Sequence, residues 1–331
     1  MPVIHARDLV KVYRTPKRHR GSLGALRTLF TREYSETRAV DGISFGIEAG
    51  ELIGYIGPNG AGKSTTIKIL TGIIEPTSGE VRVAGLVPWQ RRQDNARNIG
   101  VVFGSRSQLW WDLPLEESFD LVRRMYRIDP NRYRRNLQRF GDVLDLGGFI
   151  DTPVRSLSLG QRMRGELTAA LLHDPPVVYL DEPTIGLDVV AKERIRSFVA
   201  DINRERQTTI LLTTHDLADV ERLCSRILLI DAGHLLFDGA VEQFKATHAP
   251  YRELVVRLEA DCHPSTLAGL PNIDVVSIQA DVVTLRFDPA LIPVPDVVAR
   301  VAGRCRLSDL SIVEPDLESI VRQFYERQVT Q

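Results

Sequence analysis

No window of the chain approaches the ~20 consecutive apolar residues that a membrane-spanning helix requires, and the opening Met1-Pro2-Val3-Ile4-His5-Ala6-Arg7 has no apolar signal core. The expected location is the cytosol, with any role at a membrane taken through partners. Cysteine is scarce: Cys224, Cys262 and Cys305 are widely spaced, odd in number and free of CxxC spacing. Neither a disulfide framework nor a zinc site is indicated, and a reducing compartment is expected. Excess charge is also missing. Lys and Arg number 42 against 43 Asp and Glu, a formal balance of −1 that argues against a nucleic-acid partner. Internal repeats and low-complexity tracts are absent. What remains is an ordinary globular composition, 43% hydrophobic and 26% charged, over a 331-residue length that suits two domains.

The first stretch, Val3 to Tyr13, reads as a strand, as does Val40 to Ile47 before the turn Glu48-Ala49-Gly50-Glu51. Between them, at about 14–38, lies a basic insertion. From Lys11 to Arg38 there are eight Lys or Arg against Glu33 and Glu36, and Leu23, Leu26, Leu29 and Phe30 recur at helical spacing. Arg123 to Leu144 has helical periodicity. Val177 to Leu180 and Ile210 to Thr213 are compact apolar runs of the kind that parallel sheets bury on both faces. The fold class is therefore α/β up to residue 240. Beyond it the order is strand (Glu253–Leu258), helix (Pro264–Leu270), strands (Val275–Gln279, Val282–Phe287), helix (Pro295–Val301) and strand (Leu307–Val313), then a last helix from Leu317. That βαββαβ order predicts a small ferredoxin-like α+β domain over 241–331.

Gly57-Pro58-Asn59-Gly60-Ala61-Gly62-Lys63-Ser64, followed by Thr65, fits the phosphate-loop pattern G-x-x-x-x-G-K-[ST] and stands between the strand Leu52–Ile56 and a helical run from Ser64. The glycines let backbone N–H groups turn toward phosphate oxygens, Lys63 reaches the β and γ phosphates, and Ser64 is placed to ligate Mg²⁺. Val177 to Glu182 is a buried strand ending in two acids, suited to a Mg²⁺-organising Asp181 and a water-directing Glu182. Leu157-Ser158-Leu159-Gly160-Gln161 precedes a helical run, so Ser158 reads as an N-cap. His215 follows a strand, at the carboxyl edge where α/β sheets hold ligands.

These motifs in this order resemble the nucleotide-binding domain of ABC transporters: the phosphate loop at 57–64, the signature-like LSLGQ at 157–161, LDE at 180–182, Gly186-Leu187-Asp188, and His215. The resemblance covers residues 1–240, implies a mixed-sheet core with a helical subdomain at about 105–165, and assigns roles. Ser158, Gly160 and Gln161 would contact the γ-phosphate of ATP held by a second subunit, so that a homodimer sandwiches two ATP molecules. Glu182 would be the catalytic base, His215 the γ-phosphate sensor, Asp188 part of the loop at the dimer seam, and Tyr13 the aromatic stacked on adenine. Separate membrane permease subunits are the implied partners, and the C-terminal appendage with Ile312-Val313-Glu314-Pro315 resembles daunorubicin-resistance-type exporter ATPases paired with ABC-2 permeases.

Two departures from the family pattern stand out. Leu159 occupies a position that is usually Gly. After Phe103, where the family carries a Mg²⁺-binding Gln, the chain reads Gly104-Ser105-Arg106-Ser107, leaving Gln108 as the nearest candidate metal ligand. Trp110 and Trp111 follow, either as packed core rings or as a contact surface for the membrane subunit. The basic insertion is either a solvated loop or a contact with anionic lipid headgroups. The rival function is a non-transport ABC ATPase acting on nucleic acid or ribosomes, which the single cassette and the absence of a long coiled coil disfavour.

Overall fold

The structure, a computed structural model, describes residues 2–16, 34–104, 106–259 and 262–329. The expected helix around Leu23 to Phe30 lies outside the described residues. Two compact units form, Met1–Gly239 and Ala240–Gln331.

In chain order the first unit contains β1 (Ile4–Pro16), β2 (Tyr34–Ile47), β3 (Leu52–Ile56), α1 (Lys63–Leu70), β4 (Ser78–Val83), α2 (Arg92–Asn98), β5 (Ile99–Phe103), α3 (Leu115–Tyr126), α4 (Pro130–Val143), α5 (Leu159–Leu171), β6 (Val177–Asp181), α6 (Val189–Arg206), β7 (Thr209–Thr213), α7 (Leu217–Leu223), β8 (Arg226–Asp231) and β9 (His234–Ala240). Six of these strands form a sheet in the order β5-β6-β7-β3-β8-β9, of which the first five run parallel. Every residue of β3 and β7 is buried, which explains why these runs are apolar throughout and do not alternate. A second, antiparallel sheet has the order β2-β1-β4. Ile4, Leu9, Val40, Ile43, Ile47, Val81 and Val83 from this sheet share one apolar core with Ile53, Tyr55, Tyr179, Leu211 and Leu228.

The β1–β2 hairpin is longer than the sequence suggests. Its ladder reaches Pro16↔Tyr34, so residues 14–16 and 34–38 of the basic insertion belong to strands. Arg14 pairs there with Glu36 at 2.8 Å and Arg38 with Asp41 at 2.9 Å. The single helix expected from Arg123 to Leu144 is in fact parts of two. Helix α3 stops at Arg127 in the left-handed region (φ 52°), and Asp129 caps α4 by accepting from the Asn131 and Arg132 amides.

The second unit contains α8 (Val241–His248), β10 (Arg252–Leu258), β11 (Ile273–Gln279), β12 (Val282–Phe287), α9 (Val294–Ala302), β13 (Leu307–Val313) and α10 (Leu317–Val329). Its strands form an antiparallel sheet in the order β11-β12-β10-β13. The first expected helix is not a full one: Pro264–Leu267 is a single 3₁₀ turn opened by His263, whose side chain accepts from the Ser265 amide. The cysteine reading also needs correction, because Cys262 and Cys305 form a disulfide with their Cα atoms 5.6 Å apart. Register brings them together. Cys262 follows the end of β10 and Cys305 precedes β13, two strands paired through Leu258↔Leu307. Cys224 is free and buried.

Candidate nucleotide site

The phosphate loop connects the end of β3 to α1, and its backbone is held close to neighbouring strands. Gly62 has φ 109°, and a Cβ there would lie 2.3 Å from the Ala39 carbonyl oxygen; a Cβ at Gly57 would lie 2.3 Å from that of Ile230. Only glycine fits these approaches. The loop opens onto a cavity of about 530 Å³ lined by Ala39, Asn59, Gly60, Gly62, Lys63, Ser64, Thr65, Gly104, Asp181, Glu182 and Ile185. Lys63 is folded onto its own loop, its Nζ donating to the Gly57 carbonyl at 2.5 Å and the Pro58 carbonyl at 3.0 Å. Burial pushes its pKa down, while Glu182 and Asp181 pull the other way.

The opposite wall is the carboxyl edge of the parallel sheet. Asp181 ends β6 and accepts from the Thr213 hydroxyl at 2.5 Å. The next residue, Glu182, adopts φ 57°, a left-handed conformation that costs a non-glycine residue roughly 1 kcal/mol or more. Its amide donates to the Thr213 carbonyl at 2.9 Å, joining the loop after β6 to the end of β7. The carboxylate Oε2 meets Nδ1 of His215 at 2.7 Å and lies 3.3 Å from the His215 amide. A Cβ at Gly104 would lie 3.0 Å from the Glu182 carbonyl oxygen, so the loop after β5 passes in tight contact with the residue that carries the carboxylate.

The signature segment lies elsewhere in the same chain. Ser158 caps α5 in a reciprocal box, its Oγ accepting from the Gln161 amide at 3.2 Å and its own amide donating to the Gln161 side chain at 2.8 Å. With Gly160, Gln161, Arg164, Asp188, Val190, Ala191 and Arg194 it lines a separate hollow of about 160 Å³. Asp188 caps α6 by accepting from the Ala191 amide. None of Ser158, Gly160, Gln161 and Asp188 lines the phosphate-loop cavity.

His215, Gln108 and Tyr13 do not line the cavity either; His215 reaches it only through its bond to Glu182. Gln108 turns away, its Nε2 donating to the Glu166 carbonyl at 3.0 Å, while its amide donates to the Glu166 carboxylate. Glu166 is buried, and burial raises its pKa against the pull of Ser107 and Gln108. Once that carboxylate is inside, Gln108 and Ser107 are the donors that satisfy it. Tyr13 sits on β1 opposite Thr37, exposed, with the Lys11 ammonium 5.4 Å from its ring centre. Ala39, Gly104 and Ile185 line the cavity without any motif to announce them.

Trp110 and Trp111 are 36% and 52% exposed, so neither is a core ring. Trp111 lines a further hollow of about 170 Å³ with Phe103, Gly104, Arg106, Ser107, Arg162, Met163 and Glu166, and the Arg162 guanidinium stands 5.9 Å from its ring centre.

A phosphate-cradling loop between a parallel strand and a helix, faced by an Asp-Glu pair whose glutamate is bonded by a histidine, defines a P-loop nucleotide hydrolase. The family model for ABC transporters matches residues 40–185. The ATP-binding protein NatA of Bacillus subtilis (strain 168) is 30% identical over 205 residues, 62% of this chain and 83% of that protein. The Nod factor export ATP-binding protein I of Burkholderia pseudomallei (strain 1710b) is 37% identical over 213 residues, 63% of this chain and 68% of that one. Among solved structures, the ATP-binding subunit of an ABC transporter superposes with a TM-score of 0.62 at 25% identity, covering 74% of this chain and 92% of that one. The chain belongs to the ATP-binding subunits of ABC transporters, and it is an ATPase whose nucleotide is ATP.

Proposed function

We propose that the chain works as one half of a homodimeric motor that hydrolyses ATP to drive export through separate membrane permease subunits. The observation that carries the hydrolytic part is Glu182, which lines the phosphate-loop cavity and is bonded at 2.7 Å by His215. Glu182 is the general base and orients the attacking water; His215 holds the Glu182 carboxylate with Nδ1 and offers its other nitrogen to the γ-phosphate. Lys63 leaves its loop carbonyls for the phosphate oxygens when nucleotide enters. Two carboxylates facing one ammonium leave negative charge that suits a divalent cation. Phosphate sites of this kind take Mg²⁺ through one or two carboxylates together with the substrate's phosphate oxygens. Ser64 and Asp181 would hold it, and it would neutralise charge on the phosphates. Gly57 to Thr65 form the cradle, and Tyr13, exposed on β1, supplies the adenine contact.

The dimer follows from the division of labour within one chain. Ser158, Gly160, Gln161 and Asp188 form a polar surface away from the phosphate loop, and a second copy presenting them across ATP would complete each site. In this reading the exposed Trp110 and Trp111 are the contact for a permease at the inner face of the cell membrane, and the exposure of both rings supports it; the basic segment is a further contact with anionic headgroups. Export is the direction carried by the relative named for Nod factor export.

Glu182→Gln is the test. Steady-state ATP hydrolysis is expected to fall at least ~10²-fold, the range for loss of a general base, while ATP binding persists and the ATP-bound dimer accumulates in light scattering. Near-wild-type turnover would remove Glu182 from the role. A second measurement addresses the membrane partner: Trp110→Ala and Trp111→Ala in vesicles carrying the permease should keep ATP binding but lose transport, and unchanged transport in both would refute the docking surface.

A further inference from the structure

Behind the Glu182–His215 pair lies a buried polar cluster that none of the sequence motifs announced. Asp219, 1% exposed, sits on α7 four residues after His215. One of its oxygens accepts from the Thr184 hydroxyl at 2.5 Å, and Thr184 is two residues past Glu182 and itself buried. The other accepts from Nε of Arg196 on α6 at 2.5 Å. Arg196 also lies 3.9 Å from Asp216, which is bonded by Lys192 at 2.5 Å, and the Asp219 amide donates to the Asp216 carbonyl at 3.0 Å. A single carboxylate thus ties three segments together: the loop carrying Glu182, the helix following His215, and the helix that begins at Asp188.

Glu182 needs such a restraint. A left-handed conformation at a non-glycine residue persists only where its surroundings over-determine it, and a base must be held within tenths of an ångström to direct water. A buried, fully partnered ion pair is strongly destabilising to break on one side, so it acts as a rigid joint. We infer that the Thr184–Asp219–Arg196 cluster is a positioning device that fixes Glu182 and His215 relative to each other and anchors both to α6. The inference rests on the assignment of Glu182 as base.

The test measures ATPase kcat and KM of the full chain with Arg196→Met, Arg196→Lys, Asp219→Asn and the nearly isosteric Thr184→Val, alongside Glu182→Gln. Rates are expressed per folded molecule from thermal unfolding. Arg196→Met and Asp219→Asn are expected to lose 10- to 100-fold in kcat with KM for ATP within about 2-fold, on the scale of a misplaced catalytic group. Thr184→Val, which removes one hydrogen bond, should lose several-fold, and Arg196→Lys should recover part of the loss of Arg196→Met. The inference is overturned if kcat per folded molecule stays at the wild-type level in Thr184→Val and Asp219→Asn, or if KM rises in step with the fall in kcat. An active Glu182→Gln would instead overturn the assignment of the base.

Discussion

His173 shows how one buried side chain ties stability to pH. Its Nε2 donates to the Ile99 carbonyl at 3.0 Å and its ring stacks on Tyr126 with centres 4.2 Å apart. Burial holds its pKa down at about 4 from the usual 6.5, because a second proton on Nδ1 would have no acceptor among the described residues. The unfolded chain therefore binds this proton more readily than the folded one. The contribution is complete above about pH 6.5 and is lost as pH falls toward 4, an effect of roughly 3 kcal/mol. Denaturant midpoints should fall over that window, and His173→Gln, which keeps a donor without a basic nitrogen, should flatten the decline; an equal slope in both proteins would reject this account. Residue-scale chemistry was unevenly legible in the sequence. Lys63, Asp181 and Glu182 could be read because phosphate chemistry demands fixed local spacing beside a strand end. Asp219, Arg196 and Thr184 could not, since their meeting depends on how two helices and a loop pack. Gln108 was misread for a related reason: the burial of Glu166, 58 residues away, decides where its side chain turns.

At the scale of elements, α5 has two tasks at one terminus. The Ser158–Gln161 box satisfies amides that a helix leaves unpaired, and the same two side chains are the ones proposed to meet ATP across the dimer. Ser158→Ala should cost about 1 kcal/mol of stability from the lost cap. In a Glu182→Gln background it should also abolish ATP-driven dimerisation while leaving nucleotide affinity of the single subunit unchanged, as read by light scattering and fluorescence titration. Retained dimerisation would leave Ser158 with capping alone. Apolar runs such as Leu52–Ile56 and Ile210–Thr213 announced themselves as parallel strands because both faces are covered. The β1 and β2 extensions were hidden by their charge, as Arg14, Glu36 and Arg38 sit on exposed pairs and carry no apolar alternation. The short 3₁₀ turn at Pro264–Leu267 offered apolar spacing too brief to reveal its pitch.

At the scale of the whole molecule, the two units differ in what holds them. The ATPase unit relies on a sheet covered on both faces, while the smaller one adds the Cys262–Cys305 bond across a 43-residue separation. A loop of that size stabilises by about 2–4 kcal/mol. Under denaturing conditions without reductant a single thiol, Cys224, should titrate, and three should appear after reduction. Three thiols before reduction would show the bond absent in solution. Widely spaced cysteines read as unpaired in the sequence because only the antiparallel register of β10 and β13 brings the two positions together.

The β1–β2 ladder has a practical corollary. Pro16 and Tyr34 face each other as paired residues, so the chain departs from the ATPase unit and re-enters it at neighbouring points. Closing a segment whose ends are already apposed grows costlier by only ~0.6 kcal/mol for each doubling of its length. That makes the hairpin end an engineering port, where an epitope or a fluorescent reporter could be spliced in without disturbing the register of the strands that carry it.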